Sequence, residues 1–274
     1  MCAFIKSLFC YSSWWQIGLL FVLSIVWSPK SSAQINVFTA DTMNQLNRKA
    51  GFYNKARLDF THHSGNTTMQ FFKLRYRSDY VSTIYHLFAV GDFQIRSKDF
   101  KAFVNRGMIH GRAIRLIKPK QMLESFIQKQ FSQSIFLRDR NLVGGGVRIQ
   151  IFGKSDEHDN SDLNLYLGIG AMWEYELIEN TELANIATNL LRSTNYISLN
   201  YPILSQVSVS LTSYYQVDLG KISDFRLLTE LNITYQLTKQ IQSFTSVNSR
   251  YDNDPPNNLS LQDLQINNGI IISF

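Results

Sequence analysis

Cysteine is nearly absent from this chain of 274 residues. Its two cysteines, Cys2 and Cys10, both lie near the N-terminus, so the remaining sequence cannot form a disulfide or a thiolate metal site. Charged residues are scarce at 18%, against roughly 25% in an average soluble protein. Only five prolines occur, which excludes a proline-rich architecture, and the aromatic content of 13% excludes a disordered chain.

Long apolar runs are also missing, except for one near the N-terminus. The run 17–27 follows Lys6 and precedes the small residues Ser31-Ser32-Ala33. This order is the layout of a secretory signal peptide, so we expect residues 1–33 to be cleaved. The alternative is a transmembrane anchor, for which the run is short of the ~20 residues required. Lys6 and Lys30 contribute to the formal net charge of +6. Cleavage would remove both, and the small positive charge that remains gives no reason to expect a nucleic-acid partner.

The rest of the sequence is dominated by alternating apolar and polar residues. Along 225–237, for example, Leu227 and Leu231 fall on one face while Arg226 and Glu230 fall on the other. Twelve such segments, each longer than an ordinary soluble strand, predict an all-β fold: a transmembrane antiparallel up-and-down β-barrel of 10–14 strands. The candidate strands are 52–62, 66–78, 80–94, 100–116, 121–133, 142–152, 163–176, 190–201, 205–218, 224–237, 241–252 and 261–274.

This pattern divides the exported chain into two parts. Residues 34–50 are predicted to be a periplasmic leader or a short, helical plug, and residues 51–274 form the barrel. With the N-terminus in the periplasm, short periplasmic turns are expected near Asp79 and at other positions. The loop at 153–162 is unexpectedly long for that side.

The C-terminal strand resembles the recognition signal of bacterial outer-membrane barrels. Ile270 and Ile272 share one face, and the strand ends in the aromatic residue Phe274. This resemblance predicts a multi-pass protein of the bacterial outer membrane. Its expected partners are outer-membrane lipid and the barrel-assembly machinery.

Several short motifs resemble the "salt-induced outer membrane protein" family, a group with a domain of unknown function. They are Gly51-Phe52, Ser64-Gly65-Asn66-Thr67, His110-Gly111-Arg112, Leu123-Glu124-Ser125-Phe126-Ile127-Gln128, and the stretch from Arg140 to Arg148. The resemblance spans about residues 50–274 and weakens after 152. It implies a barrel without an established activity, and the family's name suggests a link to salt or osmotic stress.

The charged residues of the first two strands provide the candidate functional site. A charge facing lipid near the membrane centre costs about 2–4 kcal/mol, so these residues must point into the lumen. The predicted lumen-facing basic strip consists of Lys55, Arg57, Lys73, Arg75 and Arg77, and its candidate acidic partners are Asp59, Asp92, Glu174, Glu176 and Glu230. The strip either lines a path for anions or small solutes, or pairs with carboxylates that fill the lumen.

The sequence predicts no catalytic residue, cofactor or metal site. Gly144-Gly145-Gly146 is followed by a strand, whereas a phosphate-binding glycine loop is followed by a helix. The five histidines show no ligand spacing. The favoured hypothesis is a small channel or an envelope-structural protein. A barrel enzyme that hydrolyses lipid or peptide is the alternative, and a secretion translocator is disfavoured because only a short segment is expected before the barrel.

Overall fold

Twelve antiparallel strands close into one barrel in which each strand pairs with its neighbours in the chain and the last pairs with the first. The computed structural model describes residues 49–63, 69–98, 101–153, 163–179, 185–255 and 260–274. The predicted fold is therefore confirmed. The predicted signal peptide, nearly all of the predicted leader and the 153–162 loop beyond Gly153 lie outside the described residues.

The strands follow the order of the chain, and all connections are between neighbours. They are β1 (Gly51–His63), β2 (Met69–Val81), β3 (Tyr85–Lys98), β4 (Lys101–Lys118), β5 (Gln121–Ser132), β6 (Leu137–Phe152), β7 (Asn164–Ile178), β8 (Ile186–Pro202), β9 (Val207–Asp218), β10 (Phe225–Gln236), β11 (Ile241–Asp252) and β12 (Gln262–Ser273). We call the end where β1 begins and β12 finishes the terminal end, and the opposite end the distal end. No helix among the described residues is long and apolar enough to span a membrane.

Side chains alternate between the lumen and the outer surface along each strand. In β10, Arg226 and Glu230 are buried in the lumen, whereas Leu227, Ile233 and Tyr235 are exposed on the outside. The same alternation places large apolar side chains on the outside of the other strands. The barrel therefore has an apolar exterior and an interior rich in charged and polar side chains, with a smaller cluster of buried apolar ones such as Phe88 and Met122.

One predicted turn was wrong. Asp79 lies inside β2 with 1% exposure, and the chain reverses at residues 82–84 instead. There the backbone N–H of Tyr85 donates to the Ser82 hydroxyl at 3.0 Å. Aspartate is a common turn residue, which misled the prediction. Here its carboxylate accepts hydrogen bonds from lumen side chains.

Glycines allow β6 and β7 to approach closely. Gly146 and Gly170 are partners in the strand register. A Cβ on Gly146 would lie 2.3 Å from the Ile169 carbonyl oxygen and 2.7 Å from the Gly170 Cα, so no larger residue fits without moving the backbone. Gly168 serves a different purpose, because a Cβ there would lie 2.0 Å from the ring of Tyr196, which extends into the lumen.

A short ladder between β1 and β12 closes the barrel. Its register runs only from Lys55 opposite Ser273 to Leu58 opposite Ile270. Beyond it, Asn54 and Phe274 exchange two backbone hydrogen bonds of 3.0 Å each. The Phe274 ring also lies 6.4 Å from the ring of Tyr76 on β2. The last residue of the chain thus contributes directly to closure of the sheet.

We predict that deletion of Phe274 impairs assembly more than its substitution by leucine. The deletion removes both backbone bonds to Asn54 from an already short ladder, whereas Phe274→Leu keeps them. The fraction of protein that migrates as the folded form on an unheated detergent gel measures assembly. Equal folded fractions for the deletion variant and the wild type would contradict this role.

Candidate functional site in the barrel lumen

The lumen contains a dense set of charged side chains. Among the described residues, ten basic and ten acidic side chains are buried, and Arg75 is close to buried with a side-chain exposure of 11%. Burial of a charge is costly unless the charge is paired and hydrogen-bonded. Apart from Arg106 and Asp218, these residues fall into three groups along the lumen, which we call the central, distal and terminal clusters.

The central cluster surrounds Asp92 and consists of Arg57, Lys73, Arg75, Asp59, Asp92 and Glu230. Arg75 Nε donates a hydrogen bond of 2.8 Å to Asp92 Oδ2. Lys73 Nζ lies 3.8 Å from the same oxygen, and Arg75 Nη1 lies 3.7 Å from Glu230 Oε1. A single arginine therefore joins carboxylates from β3 and β10.

Arg57 occupies the wall of the central cluster beside the closing seam. Its Nε lies 3.6 Å from Asp59 Oδ1, and its Nη2 donates to the Ser246 hydroxyl at 3.2 Å. Its guanidinium stacks on the Phe244 ring at 3.4 Å from the centroid, a favourable cation–π distance. Arg57 thus connects β1 with β11 across β12.

The structure divides the predicted basic strip. Arg57 and Arg75 face each other in the β1–β2 register, as do Lys55 and Arg77. Arg57, Lys73 and Arg75 lie together with three of the predicted partners in the central cluster. Arg77 instead donates to Asp79 in the terminal cluster, with 2.6 Å between Arg77 Nε and Asp79 Oδ2. Lys55 lies half-buried toward the terminal end, opposite Ser273 of β12.

Glu174 and Glu176 do not pair with the strip as the sequence suggested. Glu174 Oε1 accepts hydrogen bonds from Arg192 Nε at 3.1 Å and Arg226 Nη1 at 3.0 Å, and Arg140 donates to its other oxygen. Glu176 Oε1 accepts a bond of 3.2 Å from Arg226. The reason is position, because β7 lies five strands from β2 around the barrel.

These contacts belong to the distal cluster, which consists of Arg140, Arg192, Arg226, Arg250, Glu174, Glu176, Asp252 and Asp263. Arg226 Nε also donates to Asp252 at 3.0 Å, and Arg250 Nη1 donates to Asp263 at 3.3 Å. The arginines of this cluster were not among the site residues predicted from the sequence. Most of the carboxylates that they bind are distant in sequence, although Arg250 also binds Asp252 two residues away. Only the alternation that directs these arginines inward could have identified them.

The terminal cluster contains Arg77, Arg112, Arg148, Asp79, Glu124 and His86, with two tyrosines. Arg148 Nη2 donates to Glu124 Oε2 at 2.7 Å, and the Tyr196 hydroxyl donates to Glu124 Oε1 at 2.9 Å. Arg112 Nη1 lies 3.5 Å from Glu124, while its Nη2 donates to the Tyr214 hydroxyl at 3.3 Å. Two guanidinium groups therefore share one carboxylate.

Many of these contacts cross the lumen. Arg75 to Glu230 joins β2 with β10, and Arg112 to Tyr214 joins β4 with β9. Neither pair of strands is adjacent in the barrel. These side chains are almost inaccessible to water, so each contact occupies the interior of the lumen at its own level.

The described residues contain one close contact between a carboxylate and a histidine. His86 Nε2 lies 2.7 Å from Asp79 Oδ1, and both side chains are buried. The other ring nitrogen, His86 Nδ1, has no hydrogen-bond partner among these residues. The described geometry therefore does not complete a Ser–His–Asp arrangement at this pair.

Comparison with known families identifies the chain at the level of its family. The family described as protein of unknown function, DUF481, matches residues 56–274. The protein belongs to this family. No curated protein matches the chain.

Several solved structures are similar in shape. The translocator domain of autotransporter NalP from Neisseria meningitidis is 8% identical, with 86% of this chain and 91% of that chain covered and a TM-score of 0.48. The KdgM porin is 8% identical, with 82% and 99% covered and a TM-score of 0.43. The NanC porin is 10% identical, with 80% and 98% covered and a TM-score of 0.45. Likenesses at this level do not bear on function.

We predict that Arg75→Met destabilises the barrel by about 3–5 kcal/mol, because it leaves buried carboxylates with too few cations. Adding Glu230→Gln should recover part of this loss, since it removes one of those carboxylates. Arg115→Met, on the exposed outer side of β4, is the matched control with little expected effect. Unfolding in denaturant measures all three. A loss of stability for Arg75→Met no larger than that of the control would contradict the central cluster's role.

Proposed function

We propose that this protein is a bacterial outer-membrane barrel with an envelope-structural role, whose lumen is closed by ion pairs in its ground state. The observation that carries the proposal is the contrast between its two surfaces. Large apolar side chains cover the outside, and charged pairs occupy much of the inside beside a cluster of buried apolar side chains such as Val90 and Met122. A closed barrel is one of only two structures that satisfy all backbone hydrogen bonds within lipid.

The pairing of the central cations favours a structural role over a permanently open anion path. An anion path requires basic side chains that face water, yet Arg57, Lys73 and Arg75 each lie within 4 Å of a carboxylate. These carboxylates largely neutralise the positive charges, so little charge is left to attract an anionic solute. The bonds across the lumen also brace opposite walls of the barrel, as expected of a rigid envelope component.

A gated small-solute channel is the second candidate. It is favoured by the way in which the lumen is closed, since single side chains such as Arg75 form the crossing contacts. Arg75 has an exposure of 11% and contacts Glu230 at 3.7 Å, so movement of a few side chains would widen the passage. On this account the charged pairs act as a gate.

The proposed location in the outer membrane also implies binding partners. The exposed apolar side chains fit outer-membrane lipid, and Phe274 at the closing seam fits recognition by the barrel-assembly machinery. The resemblance to the "salt-induced outer membrane protein" family supports a role under salt or osmotic stress. An unchanged level of the protein after a shift to high salt would argue against that role.

Conductance of the purified, folded protein in planar bilayers separates the two candidates. We expect no conductance steps for the wild type, because the described lumen is closed by buried ion pairs. Folded state is verified on an unheated detergent gel before each recording. Reproducible steps that disappear when the protein is heat-denatured would overturn the structural role in favour of the channel.

If the wild type conducts, the double variant Arg75→Glu with Arg77→Glu identifies the path. Passage beside the strip predicts a shift in selectivity toward cations, strongest at low salt where screening is weak. Unchanged selectivity in a folded, conducting double variant would place the path elsewhere.

A further inference from the structure

A small cavity lies within the lumen beside the terminal cluster. Its volume is about 20 Å³, enough for one water-sized occupant. Its polar wall includes His110, Arg112, Gln128 and Gln216, and its apolar wall includes Phe126. The size excludes sugars, nucleotides and organic acids.

Three side chains of this cavity carry buried polar atoms without a partner. They are His110 Nε2, Arg112 Nε and Gln216 Oε1, and none has a hydrogen bond to any described residue. The three residues are 2%, 8% and 1% exposed, respectively. Buried polar groups are nearly always hydrogen-bonded, so three orphans around one small cavity indicate a bound polar occupant.

The local charge favours an anion over a water molecule. The terminal cluster has three guanidinium groups, Arg77, Arg112 and Arg148, and two carboxylates, Asp79 and Glu124. Arg112 is the less well paired of the two that share Glu124, at 3.5 Å against 2.7 Å for Arg148. Among the described residues, the cluster therefore has one more guanidinium than carboxylates, and Arg112 beside the cavity is only partly neutralised. A water molecule would leave that charge uncompensated, whereas a monovalent anion would neutralise it.

The hydrogen-bond network can present donors to such an anion. His110 Nδ1 lies 3.1 Å from Gln128 Oε1, and Gln128 Nε2 donates to Gln130 Oε1 at 2.7 Å. If the side-chain amides of Gln128 and Gln130 are both flipped, so that oxygen and nitrogen exchange places, both hydrogen bonds are kept. His110 Nδ1 then accepts a hydrogen bond from Gln128, and the ring proton lies on His110 Nε2. The same amide flip at Gln216 places an N–H donor where the unpaired oxygen was. With Arg112 Nε–H, the site then has three donors.

We propose that the cavity bounded by His110, Arg112 and Gln216 is a binding site for one monatomic anion of the halide class. Arg112 supplies the charge, and His110 and Gln216 supply the further N–H groups that fix the anion's position. The site rests on the closed lumen of the proposed function, which a structural barrel and the closed state of a gated channel share.

Diffraction from crystals grown in bromide tests the site directly, since bromide gives an anomalous signal. We expect a peak among the three side chains in the wild type and its loss in Gln216→Leu, a variant that removes one donor and no charge. Gln150→Leu is the matched control, because Gln150 is also a buried lumen glutamine but does not line the cavity. Its peak should remain. A cavity occupied by water alone at saturating bromide would overturn the proposal.

Thermal unfolding tests the same site in solution. The midpoint of the wild type and of Gln150→Leu should rise with chloride relative to gluconate at equal ionic strength and then saturate, because a ligand that binds only the folded state stabilises it. Gln216→Leu should show the same midpoint in both salts. Equal wild-type midpoints in the two salts, or a full chloride effect in Gln216→Leu, would overturn the proposal.

Discussion

A charge that cannot face lipid must face the lumen, and most features of this structure follow from that constraint. Closure of the sheet satisfies the backbone hydrogen bonds but leaves each strand with only two environments for its side chains. Charged side chains take the interior, and large apolar ones cover the exterior. Because the interior is also poorly hydrated, the inward charges must then neutralise one another, and the three clusters are the result.

Neutralisation across a wide barrel requires long side chains, which explains the preference for arginine. Eleven lysine and arginine side chains are buried or, like Arg75, nearly buried among the described residues. Ten of them are arginine, and Lys73 is the exception. A guanidinium carries five donors in a fixed plane and can join carboxylates on different strands, as Arg226 does for Glu174, Glu176 and Asp252. On the proposed structural role, the same bonds that hold the walls together also close the passage. Stability and permeability are therefore opposed in this lumen.

The sequence was sufficient to predict the barrel because its signal is local. Alternation within each strand predicted twelve strands and the inward direction of residues such as Arg75 and Glu230. Local patterns also explain the failure at Asp79, whose residue type favours a turn while its lumen partners, Arg77 and His86, stabilise a strand.

Partners across the lumen could not be predicted in the same way. These pairings depend on strand tilt and on the stagger between neighbouring strands. The stagger accumulates around the barrel, so the sequence of a single strand does not reveal which residues meet across the lumen. Glu174 was therefore assigned to the basic strip although it binds Arg140, Arg192 and Arg226. The orphaned atoms of His110 and Gln216 likewise become visible only once side chains of six strands surround one cavity.

Thiol labelling tests the central claim, a lumen closed by paired charges, most directly. The only cysteines, Cys2 and Cys10, precede the barrel, so a barrel without them offers a single introduced thiol. Val90 lies in the lumen with 1% exposure and takes part in no ion pair, so Val90→Cys probes the interior. Ile222 lies in a loop with 78% exposure, so Ile222→Cys is the accessible control. With a water-soluble, membrane-impermeant reagent, we expect rapid labelling at position 222 and very slow labelling at position 90. Comparable rates at the two positions in folded protein would contradict a closed lumen.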